Sequence, residues 1–592
     1  MKRGRSEWSV YLSAVGPILK ALPLLRLRAD SRHTIADYIE GQVAKYADLP
    51  FILFEDRRIT YREYNAMANR IAHWGLSVGL KAGDTIGFMM ENRAEYVPVW
   101  SGFSKIGVKA ALINTNLVGA SVVHALEVAG AERLLLGPEC APNVADAALS
   151  NLPVYVLPEE GAADAGVPGA EDIRRALAQQ PDSDPDAALR ASVCTGDSAF
   201  HIYTSGTTGL PKATNFNHQK LMAGGVSGAL LGLGKGEVVY CPLPLYHSAG
   251  GIGAVMIAMG AGGAVAIARK FSASRFWDDV RRYDAKGVIY IGELCRFLLN
   301  RPPEPRDGEH GLRWMFGIGL RADVWEPFQE RFRIPRIVEG YGATEANVGG
   351  VNFSGKVGSV GKIRGGLLLR YDIERDELVR DAKGRYVECG PGEAGELLGR
   401  IPAGSKRMLR QFQGYTDPEA TERKILRDVK KPGDAYFRSG DLLRRDDKGY
   451  YYFVDRIGDT FRWKGENVST QEVAEALSAF PGVETANVYG VEVPGQEGRA
   501  GMAALALDGG SDAPFDAAAF YELAISKLPS YAVPVFLRLQ SESDVTGTFK
   551  LRKVALREEG YDPGATDDPI FVRHDAAGTY VRVGDAADAR VR

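Results

Sequence analysis

The chain has 592 residues, 45% hydrophobic and 25% charged, with 72 basic against 75 acidic residues and a formal net charge of −3. That length exceeds one core and predicts about three to four packing units; the near-neutral balance excludes a global pull towards nucleic acid. The five cysteines, Cys140, Cys194, Cys241, Cys295 and Cys389, form no C-x-x-C pair, which suits a reducing compartment and argues against a zinc site or a redox dithiol.

The N-terminal segment, residues 1–33, combines basic residues (Lys2, Arg3, Arg5) with an apolar stretch from Trp8 to Leu25. Pro17, Lys20 and Pro23 interrupt that stretch, Arg26 and Arg28 close it, and no convincing cleavage site follows. No uninterrupted apolar run of ~20 residues occurs anywhere in the chain. Two readings stay open: an amphipathic segment touching a membrane interface, or a helix packed on the protein's own body.

From about Thr34 to Leu157 helices alternate with short apolar strands: Asp84–Met90 a strand, Glu95–Ile106 a helix, Ala110–Ile113 the next strand. Such alternation predicts α/β layers around a largely parallel sheet. Residues Pro158–Pro185, rich in Ala, Gly, Asp and Pro, read as a surface excursion outside the sheet. The alternation then resumes, with buried strands expected at Val238–Cys241, Ala264–Ala268 and Val288–Ile291.

The most informative stretch is Tyr203–Lys212, which packs Thr204, Ser205, Gly206, Thr207, Thr208, Gly209 and Lys212 between an apolar approach and a polar exit. Glycines let backbone amides come close to a polyphosphate, hydroxyls donate to it, and Lys212 supplies positive charge. It is not a Walker A loop, because no glycine precedes Lys212 and no Ser or Thr follows it. A solvated turn remains the bland alternative for the loop taken alone. Further on, Gly250–Gly260 reads either as the wall of an apolar tunnel or as a helix packed in a core.

Gly340–Glu345 follows the apolar strand residues Ile337 and Val338 and ends in a carboxylate suited to Mg2+, unless Glu345 merely caps a helix. Between Arg370 and Phe453 short strands and Gly-containing turns predict a β-rich subdomain. Within it Ser439-Gly-Asp441 reads as a loop whose carboxylate can accept both hydroxyls of a ribose. The segment Asp455–Val468 combines alternating charge, two aromatics and two glycines at the expected domain junction, although a charged hairpin would share that composition. Strand regions at Val483–Val493 and Pro534–Leu539 then outline a compact α/β domain, and Thr546–Lys550 places a lysine after a small turn.

Taken in order, these clusters resemble the ANL adenylate-forming superfamily, and within it the fatty-acid transport protein and very-long-chain acyl-CoA synthetase branch. The similarity runs from about Ile35 onward; Thr204–Lys212 is the superfamily signature and Asp455–Val468 that of the branch. The resemblance implies a large adenylation domain (34–454), a hinge (455–459) and a small mobile C-terminal α/β domain (460–592). It implies a long-chain or very-long-chain fatty acid–CoA ligase using ATP, released as AMP, with Mg2+ and coenzyme A. Thr204 to Lys212 would hold phosphates, Gly317, Gly319, Gly340 and Tyr341 would line adenine, and Thr344 would sit near the α-phosphate. Glu345 and Thr204 would hold the metal, and Asp441 and Arg456 the ribose. Lys550 would be the mobile catalytic lysine and His247 a positioner beside the carboxylate. Lys464, Gly465 and Glu466 belong to the segment that turns into the site for thioester formation.

One departure is Gly458, which stands where many relatives carry an acidic or basic hinge residue; glycine still absorbs large backbone rotations. The rival readings are a membrane component that binds or traps fatty acid and an adenylating enzyme that loads a carrier protein. Expected surroundings are the cytoplasm or the inner face of the plasma membrane, with a fatty acid as substrate, no nucleic acid partner, and room for a homodimer.

Overall fold

The computed structural model describes residue 24 and residues 27–584, apart from 146, 148, 150–151, 162–167, 206–210, 344–345, 374, 403–411, 465, 495, 497 and 546–550, and apart from the side chains of residues 204 and 205. The Trp8–Leu25 segment therefore lies almost wholly outside the described residues.

Two sheets form the body of the larger part. The first orders its strands Glu171–Asp172, Val154–Val156, Leu134–Leu136, Thr85–Met89, Lys109–Leu112, Ser198–Ser205 and Pro211–Asn217, parallel except for the last, antiparallel pair. Every residue of Thr85–Met89 is buried, as expected of a strand covered on both faces and reading as a nearly continuous apolar run. The second sheet runs Gly350–Asn352, Ile337–Tyr341, Trp314–Ile318, Ala285–Ile291, Val238–Cys241, Ala264–Ile267, Pro50–Phe54, Arg57–Thr60, with antiparallel pairs only at its two edges. The expected α/β alternation is thus present. The Pro158–Pro185 excursion departs from expectation, since Glu171–Asp172 adds a parallel edge strand. The fully buried Ile173 directly after it supplies the apolar anchor that pulls this polar segment onto the sheet.

Helices pack between and around the sheets with conventional local signals. Thr60 caps the helix Tyr61–Ser77, accepting from the Glu63 amide while the Glu63 carboxylate accepts from the Thr60 amide at 2.8 Å. The Gly250–Gly260 run forms a π-helical turn, Ser248–Ala254, leading into an α-helix, Val255–Ala261. Its residues Val255–Met259 are buried, and it meets the helix His218–Leu231 backbone to backbone. A methyl at Gly260 would lie 2.0 Å from the Gly225 carbonyl oxygen, and one at Gly228 2.3 Å from that of Ile257. Close helix packing is therefore what these glycines serve in this structure.

The β-rich part is a five-stranded antiparallel sheet of Gly366–Leu369, Ala394–Ile401, Ala435–Arg445, Ile425–Arg427 and Tyr451–Arg456. Beyond it, Val483–Val491, Ala500–Leu507, Phe536–Gln540, Ile570–His574 and Thr579–Arg582 make a mixed sheet. The helices Thr470–Leu477 and Ala517–Lys527 accompany this sheet around a core of its own, which includes Leu477, Tyr489, Leu505 and Phe520. The expected fold class, a large layered α/β part with a β-rich subdomain and a small C-terminal α/β unit, is what the chain adopts. Among the described residues no helix is long and apolar enough to cross a membrane.

Candidate active site

The site grows from the carboxyl ends of parallel strands, where open α/β sheets place ligands. Trp314–Ile318 and Ile337–Tyr341 run side by side with Gly317 opposite Glu339 and Ile318 opposite Gly340. Gly317 cannot be replaced without movement, because a methyl there would lie 2.2 Å from the Tyr290 carbonyl oxygen, and Gly319 adopts φ +81°, a conformation that favours glycine. Beyond Tyr341 the chain opens out: a methyl on Gly342 would meet no atom within 4 Å. The four residues expected around adenine are therefore neighbours at the carboxyl ends of two adjacent strands.

Tyr341 joins these strand ends to the β-rich sheet. Its hydroxyl donates to Asp441 Oδ2 at 2.7 Å, and burial followed by the Asp441 charge pushes that hydroxyl above the ordinary tyrosine range. Asp441 is not in a loop between strands, as its Ser-Gly-Asp context suggested; it lies inside the strand Ala435–Arg445 at a bulge. Arg438 pairs with Leu398 and Leu442 with Glu396, so Ser439, Gly440 and Asp441 together face the single Leu397. Gly440 takes φ +76° there, the Ser439 hydroxyl donates to the Leu397 carbonyl at 2.7 Å, and the Gly440 amide donates to buried Glu396 at 3.2 Å. A bulge re-aims a side chain out of the ladder, and here the re-aimed one is Asp441. Across the next ladder Asp441 pairs with Arg456, whose Nε stands 4.0 Å from Asp441 Oδ1.

The hydroxyl-rich segment is flanked by two paired strands. Ser198–Ser205 and Pro211–Asn217 are antiparallel with Thr204 opposite Lys212, and the Lys212 ammonium lies 5.9 Å from the Tyr415 ring centre. Gly206, Thr207, Thr208 and Gly209, the side chains of Thr204 and Ser205, and Thr344, Glu345, Gly465 and Lys550 lie outside the described residues. Near the Glu345 position, Lys220 donates to the Ala346 carbonyl at 3.4 Å. His247 precedes the π-helical turn and accepts weakly from the Ala249 amide at 3.5 Å through Nδ1. π-Helical turns concentrate at functional sites. Lys464 and Glu466 are exposed on a separate hairpin, Phe461–Trp463 with Glu466–Val468, and Lys464 holds φ +50° at its turn. The Asp455–Val468 segment includes this hairpin, and Phe461 and Trp463 are buried in the C-terminal core.

Three supporting residues escaped sequence reasoning. Asn92 is buried and holds the Leu243–Tyr246 loop, donating to the Leu243 carbonyl at 2.8 Å and accepting from the Leu245 amide at 2.7 Å; nothing local in the sequence marks it. Tyr246 sits buried beside His247, and burial pushes its hydroxyl up to about 12 while the Arg552 guanidinium pulls the other way. Glu339 is the third, and its signal was available: it is a carboxylate within an otherwise apolar strand. It accepts from the Tyr290 hydroxyl and, at 3.1 Å, from the Leu320 amide, tying three strand ends together beneath the glycines.

Burial pushes the Glu339 carboxyl from 4.5 up to about 8, against the lowering pull of Tyr290, Leu320 and Gly319. The folded protein therefore keeps a proton that the unfolded chain releases. The stabilisation is full below pH about 4.5 and is lost as pH rises to about 8. Glu339→Gln cannot titrate, so between about pH 5 and about pH 9 the wild type should lose more thermal stability than the variant. A difference in Tm that stays constant over that range would refute this account.

Comparison with known proteins now decides the family. Residues 39–408 match the AMP-binding enzyme family. The chain belongs to the AMP-binding enzyme family. It is 40% identical to the rat (Rattus norvegicus) long-chain fatty acid transport protein 2 over 93% of this chain and 89% of that one. It is 37% identical to a medium/long-chain-fatty-acid–CoA ligase of Mycobacterium tuberculosis over 93% and 90%. Among solved structures, an anthranilate CoA ligase bound to anthranoyl-AMP superposes with a TM-score of 0.74 over 89% of this chain and 97% of that one, at 22% identity. The ANL resemblance and the fold class of this AMP-binding enzyme are thereby shown.

Proposed function

We propose that this AMP-binding enzyme is a long-chain fatty acid–CoA ligase that forms an acyl-adenylate and then a thioester. The observation that carries the proposal is the glycine-lined pair of strand ends at Gly317, Gly319 and Gly340, joined through Tyr341 to the Asp441–Arg456 pair. The open positions at Gly319 and Gly342, past the strand ends, leave room for a base, and a carboxylate held at a bulge suits a vicinal diol, so the described residues fit a nucleoside. The fatty-acid substrate is supported by the two curated relatives.

A fatty carboxylate is a poor acyl donor because its leaving group would be oxide. Attack of a carboxylate oxygen on the α-phosphorus of ATP expels pyrophosphate and leaves an acyl-adenylate. Attack of the coenzyme A thiol on the acyl carbon then expels AMP. We assign Asp441 and Arg456 to the ribose, Gly317, Gly319, Gly340 and Tyr341 to the base, and Thr204–Lys212 with Thr344 to the phosphates. Lys550 supplies charge during adenylation, and Lys464, Gly465 and Glu466 serve the thiol step. Mg2+, when bound, offsets charge on the triphosphate; Glu345 and Thr204 are the sequence's candidates for it. No general base is needed for the first step, since the nucleophile is the ionised substrate itself, so His247 positions rather than deprotonates.

We further assign the domain limits 34–454 and 460–592, with a hinge at 455–459. Cytoplasmic placement, peripheral contact at the inner face of the plasma membrane through Trp8–Leu25, and a homodimer belong to the same reading. Uptake of fatty acid would follow from trapping it as a charged thioester. Purified protein should convert ATP to AMP only when both a long-chain fatty acid and coenzyme A are present, with acyl-CoA as product. Binding of fatty acid without any ATP turnover would instead establish the trapping component.

A further inference from the structure

A buried ionic cluster spans the junction between the two parts of the chain. Asp455 closes the β-rich sheet, pairing with Leu442, and its carboxylate is 3% exposed. It accepts from the Thr470 amide at 2.6 Å and from the Thr470 hydroxyl at 3.2 Å, so it docks on the first residue of the helix Thr470–Leu477. A carboxylate there also meets the positive end of the helix dipole. The Thr470 hydroxyl in turn accepts from Lys553 Nζ at 2.9 Å. Lys553 lies 3.3 Å from Asp459, whose other oxygen lies 3.0 Å from the Arg557 guanidinium. Two acids and two bases thus share one partly desolvated site, and Thr470 passes the hydrogen bond from Lys553 to Asp455.

The cluster straddles Gly458, where an added methyl would meet no atom within 4 Å and where glycine absorbs large backbone rotations. Asp455 lies on the sheet side of that glycine; Asp459, Thr470, Lys553 and Arg557 lie on the other. Rotation about the 457–458 backbone would leave Asp459 with its two cations but would withdraw Thr470 and Lys553 from Asp455. The complete cluster therefore exists in one orientation of the C-terminal unit. Two further contacts accompany it, Arg321 with Glu475 at 3.5 Å and the Asn300 side-chain amide to the Glu484 carbonyl at 3.1 Å.

We propose that Lys553 and Thr470 are positioning residues that latch the C-terminal unit, through Asp455, in the orientation used for adenylation. This rests on the ligase reading above, and it deepens that reading by naming what biases the alternation. A two-state element responds to any group that binds one state better, and the Asp455 contact is made in this state alone. Release of the latch is then a step between the half-reactions, and Asp459 with Arg557 keeps Lys553 neutralised once Asp455 is left behind.

The test uses the full chain with Lys553→Met, which keeps length and removes charge, and Thr470→Val, which keeps shape and removes the bridging hydroxyl. Acyl-adenylate formation from ATP and palmitate should fall about tenfold or more in Lys553→Met, while thioester formation from supplied palmitoyl-adenylate and coenzyme A holds or rises. Thr470→Val should move the same way by less, and Lys553→Arg should restore most of the loss. A second readout needs no activity: limited trypsin cleavage after Arg456, Arg462 and Lys464 should quicken in both variants at unchanged Tm. Faster cleavage together with a wild type that makes no acyl-adenylate would sink the ligase reading and leave the latch standing. Unchanged cleavage, or an equal fall in both half-reactions, would overturn the latch.

Discussion

Lys550→Ala is expected to abolish most acyl-adenylate formation while sparing thioester formation from supplied acyl-adenylate. In the first half-reaction a carboxylate approaches a triphosphate, and negative charge accumulates where pyrophosphate departs. Cations placed beforehand stabilise that charge without reorganising, and removing one such group typically costs on the order of 10²–10³ in rate. On either side of the segment that carries Lys550, Val545 and Leu551 pair as a β-bridge. In the second half-reaction the attacking thiol is neutral or thiolate and the leaving group is AMP, so a cation aimed at pyrophosphate adds nothing. Fatty-acid-dependent exchange of pyrophosphate into ATP measures the first step, and acyl-CoA release from synthetic acyl-adenylate the second. Equal loss in both would mean that Lys550 serves the fold or both steps alike.

Asp441→Ala should raise the KM for ATP by about 10- to 100-fold, with a smaller effect on kcat, because the ribose contact proposed for it would be made in ground state and transition state alike. The substitution also strips the Tyr341 hydroxyl of its acceptor and leaves Arg456 without the carboxylate 4.0 Å away. Leaving a half-buried donor short of its acceptor costs at most about 1–3 kcal/mol, so some loss of stability accompanies the kinetic effect. Asp441→Asn separates the two: its amide oxygen still accepts from Tyr341, but the charge and one diol acceptor are gone. An intermediate KM with nearly normal Tm is the expected result for Asn. Normal KM for ATP in both variants, with lowered Tm only, would reduce Asp441 to a structural part of the bulge.

Much of the architecture was legible because parallel strands covered on both faces read as nearly continuous apolar runs, as residues 86–89 and Val238–Cys241 do. Ser439–Asp441 was misplaced because Gly-Asp commonly marks a turn, and a bulge inside a strand gives the same local pattern. The strand at Glu171–Asp172 was missed because two polar residues carry no periodicity, and only the burial of Ile173 draws them in. Gly250–Gly260 was open to two readings since small apolar residues suit a cavity wall and a tight helix crossing equally; the facing Gly225 and Gly228 decide it.

The amino-acid order alone determined the layered α/β class, the family and the residue types on which the chemistry depends, because each is written within a short window. Only the tertiary structure decided that Tyr341, Asp441 and Arg456 meet, that Glu339 is buried among Tyr290 and Leu320, and that Lys553 reaches Asp455 through Thr470. Those contacts join residues from 15 to 100 positions apart. Sheet register and domain orientation bring them together, and neither is encoded in the spacing of neighbouring side chains.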